Sequence, residues 1–296
     1  MKAWRTFSRS ILVTMMTLFS LFSAAVTAEE NIPDKVAIPQ SELVYMETAR
    51  GLIVIQLTDL QSPNAYKQIK SLVKEGFYDG LEFYRVFEGF VAQGGEEELA
   101  KQENYISKKT NHNKTLDAEF TQSYQRPLPF QVVQSPALLA PETGYWFGFP
   151  AGRDSKTKEQ WLLHCPGAFA LARDLEPDTA TTEFYIVIGQ APRHLDRNMS
   201  VIGRVVDGMS VAQSMPRGTR KTNGVIKDNA KKTAILTARM GDQLPVEQQI
   251  PFMIENTKSE EFLARLNKAK HNTGPFLVYP GTGNLDVCYH QPRISK

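Results

Sequence analysis

Cysteine, histidine and long apolar runs are scarce in this 296-residue chain. The five histidines (His112, His164, His194, His271, His290) show no H-x-x-x-H spacing, and the two cysteines no C-x-x-C. None of the common metal-ligand motifs is therefore written here, and neither a metal nor a cofactor is expected. Gly281-Thr282-Gly283-Asn284 lacks the lysine and following helix of a phosphate loop and reads as a turn. Charge of one sign is also missing, with 34 basic residues against 32 acidic. No basic stripe with interleaved aromatics appears, which excludes an electrostatic nucleic-acid binder. Lys108-Lys109 and Lys231-Lys232 are short runs that suit solvated surface. There is no internal repeat or low-complexity tract, and no carboxylate pair whose spacing marks an acid and a base.

What is present begins with an address. Lys2, Arg5 and Arg9 precede an apolar run, Ile11–Phe22, of twelve residues. A bilayer span needs about 20 residues, so this run is too short to cross. Val26-Thr27-Ala28 fits an A-x-A-like cleavage site, giving a signal peptide over 1–28 cut after Ala28. Removal of the three basic residues takes the formal charge from +2 to about −1. The expected location is periplasmic or secreted, with no stable membrane anchor after cleavage. The chain that remains is long enough for a well-buried core. Residues 29–42 read as a polar N-terminal tail.

The most informative run is Tyr78–Gly95, Y-D-G-L-E-F-Y-R-V-F-E-G-F-V-A-Q-G-G. On a period-2 strand Phe83, Arg85 and Phe87 share one face. An arginine between two phenylalanines is costly to desolvate unless it has a partner or a task. Upstream, Gly51–Leu57 is β-rich, and Pro63–Glu75 has helical spacing with Ala65, Ile69, Leu72 and Val73 on one side and Pro63 suited to the first turn. Downstream come G-A-F-A-L-A-R (Gly167–Arg173), T-T-E-F-Y-I-V-I (Thr181–Ile188) and L-D-R-N-M-S-V-I-G-R-V-V-D-G (Leu195–Gly208).

In this order the blocks resemble the cyclophilin-type peptidyl-prolyl cis-trans isomerases, with their F-x-R strand, G-F turn, Q-G-G corner, M-A-R strand, Q-F-F-I strand and L-D…F-G-R-V segment. The likeness runs over about 43–240. It implies a mainly β fold: a closed eight-stranded antiparallel barrel capped by two helices, Pro63–Glu75 and one near Asp207–Met215. The barrel interior would be filled by side chains and substrate bound on an outer face. The stretch of about 96–162 is longer than compact members need and is expected as a long loop insertion. It carries the acids Glu96, Glu97 and Glu98, a polar stretch Asn104–Lys114, and the aromatic group Gly144–Phe149, expected to pack back onto the barrel. Residues 241–296 form a C-terminal extension with one helix, Ser259–Lys270, capped by Ser259 with acids in its first turn.

The resemblance also assigns roles. Arg85 is the catalytic donor, and Gln93 holds Arg85 or the substrate backbone. Phe90, Val91 and Tyr185 line a proline pocket that Leu195 closes, while Ala172 and Arg173 flank the bound peptide. Glu183 stands at a substrate-binding position where the family often has glutamine. As a carboxylate it accepts rather than donates, with Arg85 or Arg173 as candidate partners. His194 stands where cyclosporin-sensitive members carry tryptophan, so weak drug binding is expected. Met199 replaces an aromatic or histidine and suits an irregular apolar site. The implied partners are proline-containing polypeptides, as unfolded or exported clients. Two other readings stay open: a catalytically weak binding or chaperone module on the same barrel, and a scaffold tethered by an uncleaved N-terminal helix.

An oxidising compartment makes a Cys165–Cys288 disulfide a fair expectation, with two buried free thiols as the alternative. A nucleophile–base dyad of Cys165 with His164 is rejected, because neighbouring strand residues point to opposite faces.

Overall fold

The computed structural model describes residues 1, 32–96, 115–125, 129–190, 192–272 and 274–296. The signal segment with its cut after Ala28 and the polar stretch Asn104–Lys114 lie outside them. The fold below belongs to the unit Ile32–Lys296.

In chain order the elements are β1 (Lys35–Ala37), β2 (Leu43–Thr48), β3 (Gly51–Leu57), α1 (Pro63–Lys74), β4 (Glu82–Val86) and β5 (Val91–Gly95). Next come β6 (Gln122–Ser123), β7 (Gln131–Gln134), β8 (Glu142–Trp146), β9 (Phe149–Asp154) and β10 (Glu159–Leu162). The chain then forms β11 (Ala168–Leu171), β12 (Phe184–Val187), β13 (Val201–Asp207), α2 (Met209–Ser214) and β14 (Thr233–Met240). β15 (Met253–Glu255), α3 (Glu260–Lys270) and β16 (Ile294–Ser295) complete it.

Eight strands close a barrel in the order β11-β12-β5-β4-β14-β2-β3-β13, all pairs antiparallel. Its apolar cluster includes Met46, Ile53, Ile55, Phe83, Phe169, Phe184 and Ile235, so side chains fill the interior. α1 adds the side expected of it, Ala65, Ile69, Leu72 and Val73, and α2 adds Ala212. Pro63 opens α1, where a missing N–H costs nothing.

The expected loop insertion carries a sheet of its own, with antiparallel order β6-β10-β9-β8-β7. β8 and β9 are joined at Phe147-Gly148, both at positive φ, as a two-residue hairpin requires. Alternation then sorts the aromatics between two faces. Trp146, Phe149, Ala151 and Leu162 join Val91, Ala170, Tyr185 and Val201 of the barrel wall in one cluster. Tyr145, Trp161 and Leu163 join Phe262 and Leu266 of α3 in another. Of the aromatic group, Trp146 and Phe149 pack onto the barrel as expected, Tyr145 packs instead on α3, and Phe147 at the hairpin tip stays exposed. With both faces covered, each fully buried large apolar side chain contributes about 1.5–3 kcal/mol.

The chain ends meet in a third sheet, β1-β15-β16. Residues 35–37, expected within a polar tail, pair with Met253–Glu255 and thereby join the C-terminal extension. α3 begins as its sequence requires, with Ser259 Oγ accepting from Phe262 N at 3.2 Å. A disulfide joins Cys165, just after the inserted sheet, to Cys288 of the extension, with Cα atoms 5.0 Å apart. No helix among the described residues is long and apolar enough to cross a membrane.

Candidate active site on the outer wall of the barrel

The strand alternation that placed Arg85 beside Phe83 and Phe87 is broken in the structure. Phe83 pairs with Gly94, but Arg85 pairs with Gln93, so β4 advances two residues while β5 advances one. This β-bulge leaves Tyr84 as the extra residue and reverses the parity of the strand. Phe83 and Val86 therefore enter the barrel core, while Arg85 turns outward beside Gln93. The expected phenylalanine sandwich does not form, and Arg85 is left only partly buried.

On the outer wall Arg85 is held at two points. Nη1 donates to Gln93 Oε1 at 2.9 Å, and Nε donates to the Asn223 carbonyl at 2.8 Å. Gln93 Nε2 donates to the Tyr84 hydroxyl at 2.7 Å, which fixes the amide with its oxygen toward Arg85. Asn223 takes a left-handed turn at the end of the Arg220–Thr222 turn, which Thr219 caps. Beyond it Val86 N donates to Gly224 O and Ile226 N to Tyr84 O, docking this loop along β4. Partial burial lowers the Arg85 pKa from its ordinary value, partly offset by Tyr84, yet a guanidinium stays cationic near neutrality. Among the described residues Arg85 has no carboxylate partner, and its two bonds leave its other N–H groups available to a ligand.

Beside this donor lies an apolar rim. Phe90 meets Phe87 edge-on at 6.2 Å and stacks on His194 at 5.9 Å between centroids. Leu195, Met199 and Phe90 are partly buried against the cluster that holds Val91 and Tyr185. Val91 and Tyr185 themselves are buried in the same cluster as Trp146 and Phe149 of the inserted sheet. They form a floor under the rim rather than exposed walls. Ala172 is buried there too, and its N–H donates to the Glu183 carbonyl. Arg173 bonds the carbonyls of Asn198, Asp174 and Leu175, and its guanidinium lies over Phe120.

Glu183 is placed differently from either expected pairing, because Arg85 and Arg173 bond elsewhere. Its side chain is buried, and Oε1 accepts from Glu96 N at 2.7 Å, where the chain leaves the barrel for the insertion. Gly95 makes this possible: a Cβ there would lie 2.4 Å from Glu183 Oε2, at φ +138°.

Tyr84, Asn223 and Asp196 were not singled out in the sequence, whereas His164 was weighed there as the base of a Cys165 dyad and rejected. The Asn223-Gly224 dipeptide was the one local sign among them, since it marks a turn. His164 is buried, with Nε2 2.9 Å from the Tyr185 hydroxyl and Nδ1 3.0 Å from Asp196 Oδ1. Asp196 also accepts from His164 N and from Arg193 Nε. Burial, then the Asp196 charge, raises the Tyr185 phenol well above its ordinary pKa, so it remains a neutral hydroxyl.

Similarity to known proteins shows the family and the fold. The family model described as cyclophilin type peptidyl-prolyl cis-trans isomerase/CLD matches residues 43–265, and the chain belongs to this family of isomerases. A probable peptidyl-prolyl cis-trans isomerase of Brucella suis is 26% identical over 226 residues, covering 76% of this chain and 94% of the relative. Peptidyl-prolyl cis-trans isomerase A of Dickeya dadantii is 23% identical over 235 residues, covering 77% and 95%. The crystal structure of the cyclophilin AquaCyp293 from Hirschia baltica superposes with a TM-score of 0.65 at 24% identity. That match covers 83% of this chain and 91% of the other, and speaks for the fold.

Proposed function

We propose that Arg85 catalyses rotation about X–Pro bonds by donating to the prolyl nitrogen, with Phe90 and Leu195 receiving the proline ring over a floor of Val91 and Tyr185. Amide resonance opposes that rotation with a barrier of about 18–20 kcal/mol. At the twisted state the nitrogen regains its lone pair and becomes an acceptor. A donor already fixed in place stabilises that state more than either planar one, which is the requirement for catalysis. The observation that carries this reading is Arg85 itself: outward-facing, oriented by Gln93 and Asn223, and with no carboxylate among the described residues to occupy it. Rotation breaks no covalent bond and transfers no electron, so the chemistry asks for no cofactor. In this reading Ala172 and Arg173 flank the peptide.

The same reading takes the substrates to be exported polypeptides in a periplasmic or secreted setting. The Lys/Arg-then-apolar N-terminus supports this, as does a chain whose two cysteines pair. Residues 43–240 are taken as the isomerase domain, and the insertion and residues 241–296 as its additions.

The test is a protease-free cis/trans assay on a proline tetrapeptide, with protein starting at Glu29 and its Arg85→Ala variant. Loss of an oriented donor lowers the catalysed rate about 10²-fold or more. A parent rate at background, or a variant that keeps most of it, would sink the assignment. N-terminal sequencing of exported protein tests the cut after Ala28.

A further inference from the structure

Two cavities lie beside the Phe90–His194 rim. The first, of about 490 Å³, is lined by Ile188, Gly189, Arg193 and Leu139, with Asp286 and Tyr289 from the C-terminal extension. The second, of about 500 Å³, lies beyond it and shares Leu139, Arg193 and Asp286, adding Pro136, Leu138 and Leu285. Each has the size of a ligand cleft, and the shared residues make them one groove.

The groove is continuous with the isomerase face. Ile188 N donates to Phe90 O at 3.0 Å. Gly189 lies so close to the turn before Phe90 that a Cβ would come within 2.0 Å of the Gly89 carbonyl. Arg193 directly precedes His194, whose ring stacks on Phe90. A polypeptide with its proline at Phe90 extends to both sides of it, and the groove adjoins this rim on one of them.

Its chemistry suits an extended apolar segment. Leu138, Leu139 and Tyr289 are exposed at 95%, 56% and 83%, a concentration of apolar side chains that marks an interaction surface. The Arg193 side chain is only 7% exposed and its Nε is bound to Asp196, yet its Nη2 has no hydrogen-bond partner among the described residues. The Cys165–Cys288 disulfide fastens the Tyr289 wall.

Resting on the isomerase reading above, we propose that this groove is a substrate subsite that binds an extended, apolar-rich stretch of the same unfolded polypeptide beside its proline. The insertion and the C-terminal extension would thereby select chains that are both unfolded and apolar.

The experiment compares three substrates sharing one X–Pro core: a tetrapeptide, and versions lengthened by apolar residues on one side or the other. The parent has a lower KM for one lengthened form. The double variant Leu139→Ser, Tyr289→Ser removes only exposed side chains, and an unchanged melting temperature verifies its fold. It raises KM for that form about tenfold and leaves the tetrapeptide within about twofold. Equal KM for all three substrates in the parent, or equal loss on all three in the variant, overturns the subsite. A parent inactive on the tetrapeptide defeats the isomerase reading instead. Fluorescence anisotropy of the lengthened peptide then decides the groove: weaker binding by the double variant supports it, and unchanged binding overturns it. Sedimentation showing a dimer that this double variant dissolves assigns the face to a second copy of the chain and likewise overturns the proposal.

Discussion

One wall of the barrel has two halves that treat their polar groups in opposite ways. Under the inserted sheet, the Tyr185 hydroxyl, His164 and Asp196 answer one another in a buried chain among Trp146, Phe149 and Leu162. At the open edge Arg85 is bonded just enough to be oriented, by Gln93 and Asn223, and its other donors face outward. A closed polar network fixes a structure, while an open one held rigid from behind is ready to act on a ligand. The covered half thus reads as the support of the site and the open half as its chemistry.

This division breaks if substitutions in the open half cost stability, or if those in the covered half cost rate. The largest effect is expected at Arg85. Arg85→Lys keeps the charge but loses the fork that reaches Gln93 and Asn223 together. It lowers kcat/KM on a tetrapeptide about 10²–10³-fold, with the melting temperature within about 2 °C of the parent. A similar rate with a lower melting temperature would reverse the assignment of this half. Next comes the disulfide. Cys165 and Cys288 are separated by 123 positions, and replacing both with serine costs about 2–4 kcal/mol in urea unfolding. The tetrapeptide rate of the folded fraction stays near the parent value.

A smaller effect is expected at His164. His164→Leu leaves the Tyr185 hydroxyl and one contact of Asp196 unanswered in a buried place, at about 1–3 kcal/mol of stability. His164→Gln, which can still donate and accept, recovers part of that loss. A tetrapeptide rate that collapses in both variants at full stability would place His164 in the chemistry.

How much of this was legible in the sequence follows from the range of each interaction. α1 and α3 were readable, because Pro63, Ser259 and the apolar spacing act within a few residues. The ordered blocks of the barrel were readable for the same reason, through the family motifs they match. The bulge at Tyr84 was not, since a period-2 template assumes the parity that a bulge destroys. β8 and β9 of the insertion were hidden by burial on both faces, where alternation gives way to continuous runs such as Tyr145-Trp146 and Phe149-Pro150-Ala151. β1 was missed because its three side chains are all exposed and leave no apolar pattern. For Glu183 only the guanidinium groups of Arg85 and Arg173 were considered as partners, because its observed bond is to the backbone of Glu96, 87 positions away, which no local pattern marks.

The smallest effect expected is one of pH on the covered side. His290 sits at the end of the extension, and its carbonyl accepts from the Tyr145 hydroxyl at 2.6 Å. Burial first, then repulsion from Arg265, lowers its pKa below the ordinary 6.5, and Asp286 offsets this only in part. A histidine whose folded pKa is lowered binds its proton more readily once unfolded. Its contribution to stability is therefore full above about pH 6.5 and declines as pH falls from there through the lowered folded value. Urea midpoints should drop modestly between about pH 7.5 and 5.5, with a smaller drop in His290→Gln. Arg85 is still cationic throughout that range, so the tetrapeptide rate should be flat across it. A rate that instead falls in step with the urea midpoint would mean that the extension and the open half of the wall act as one unit, and the division between support and chemistry would fail at its weakest seam.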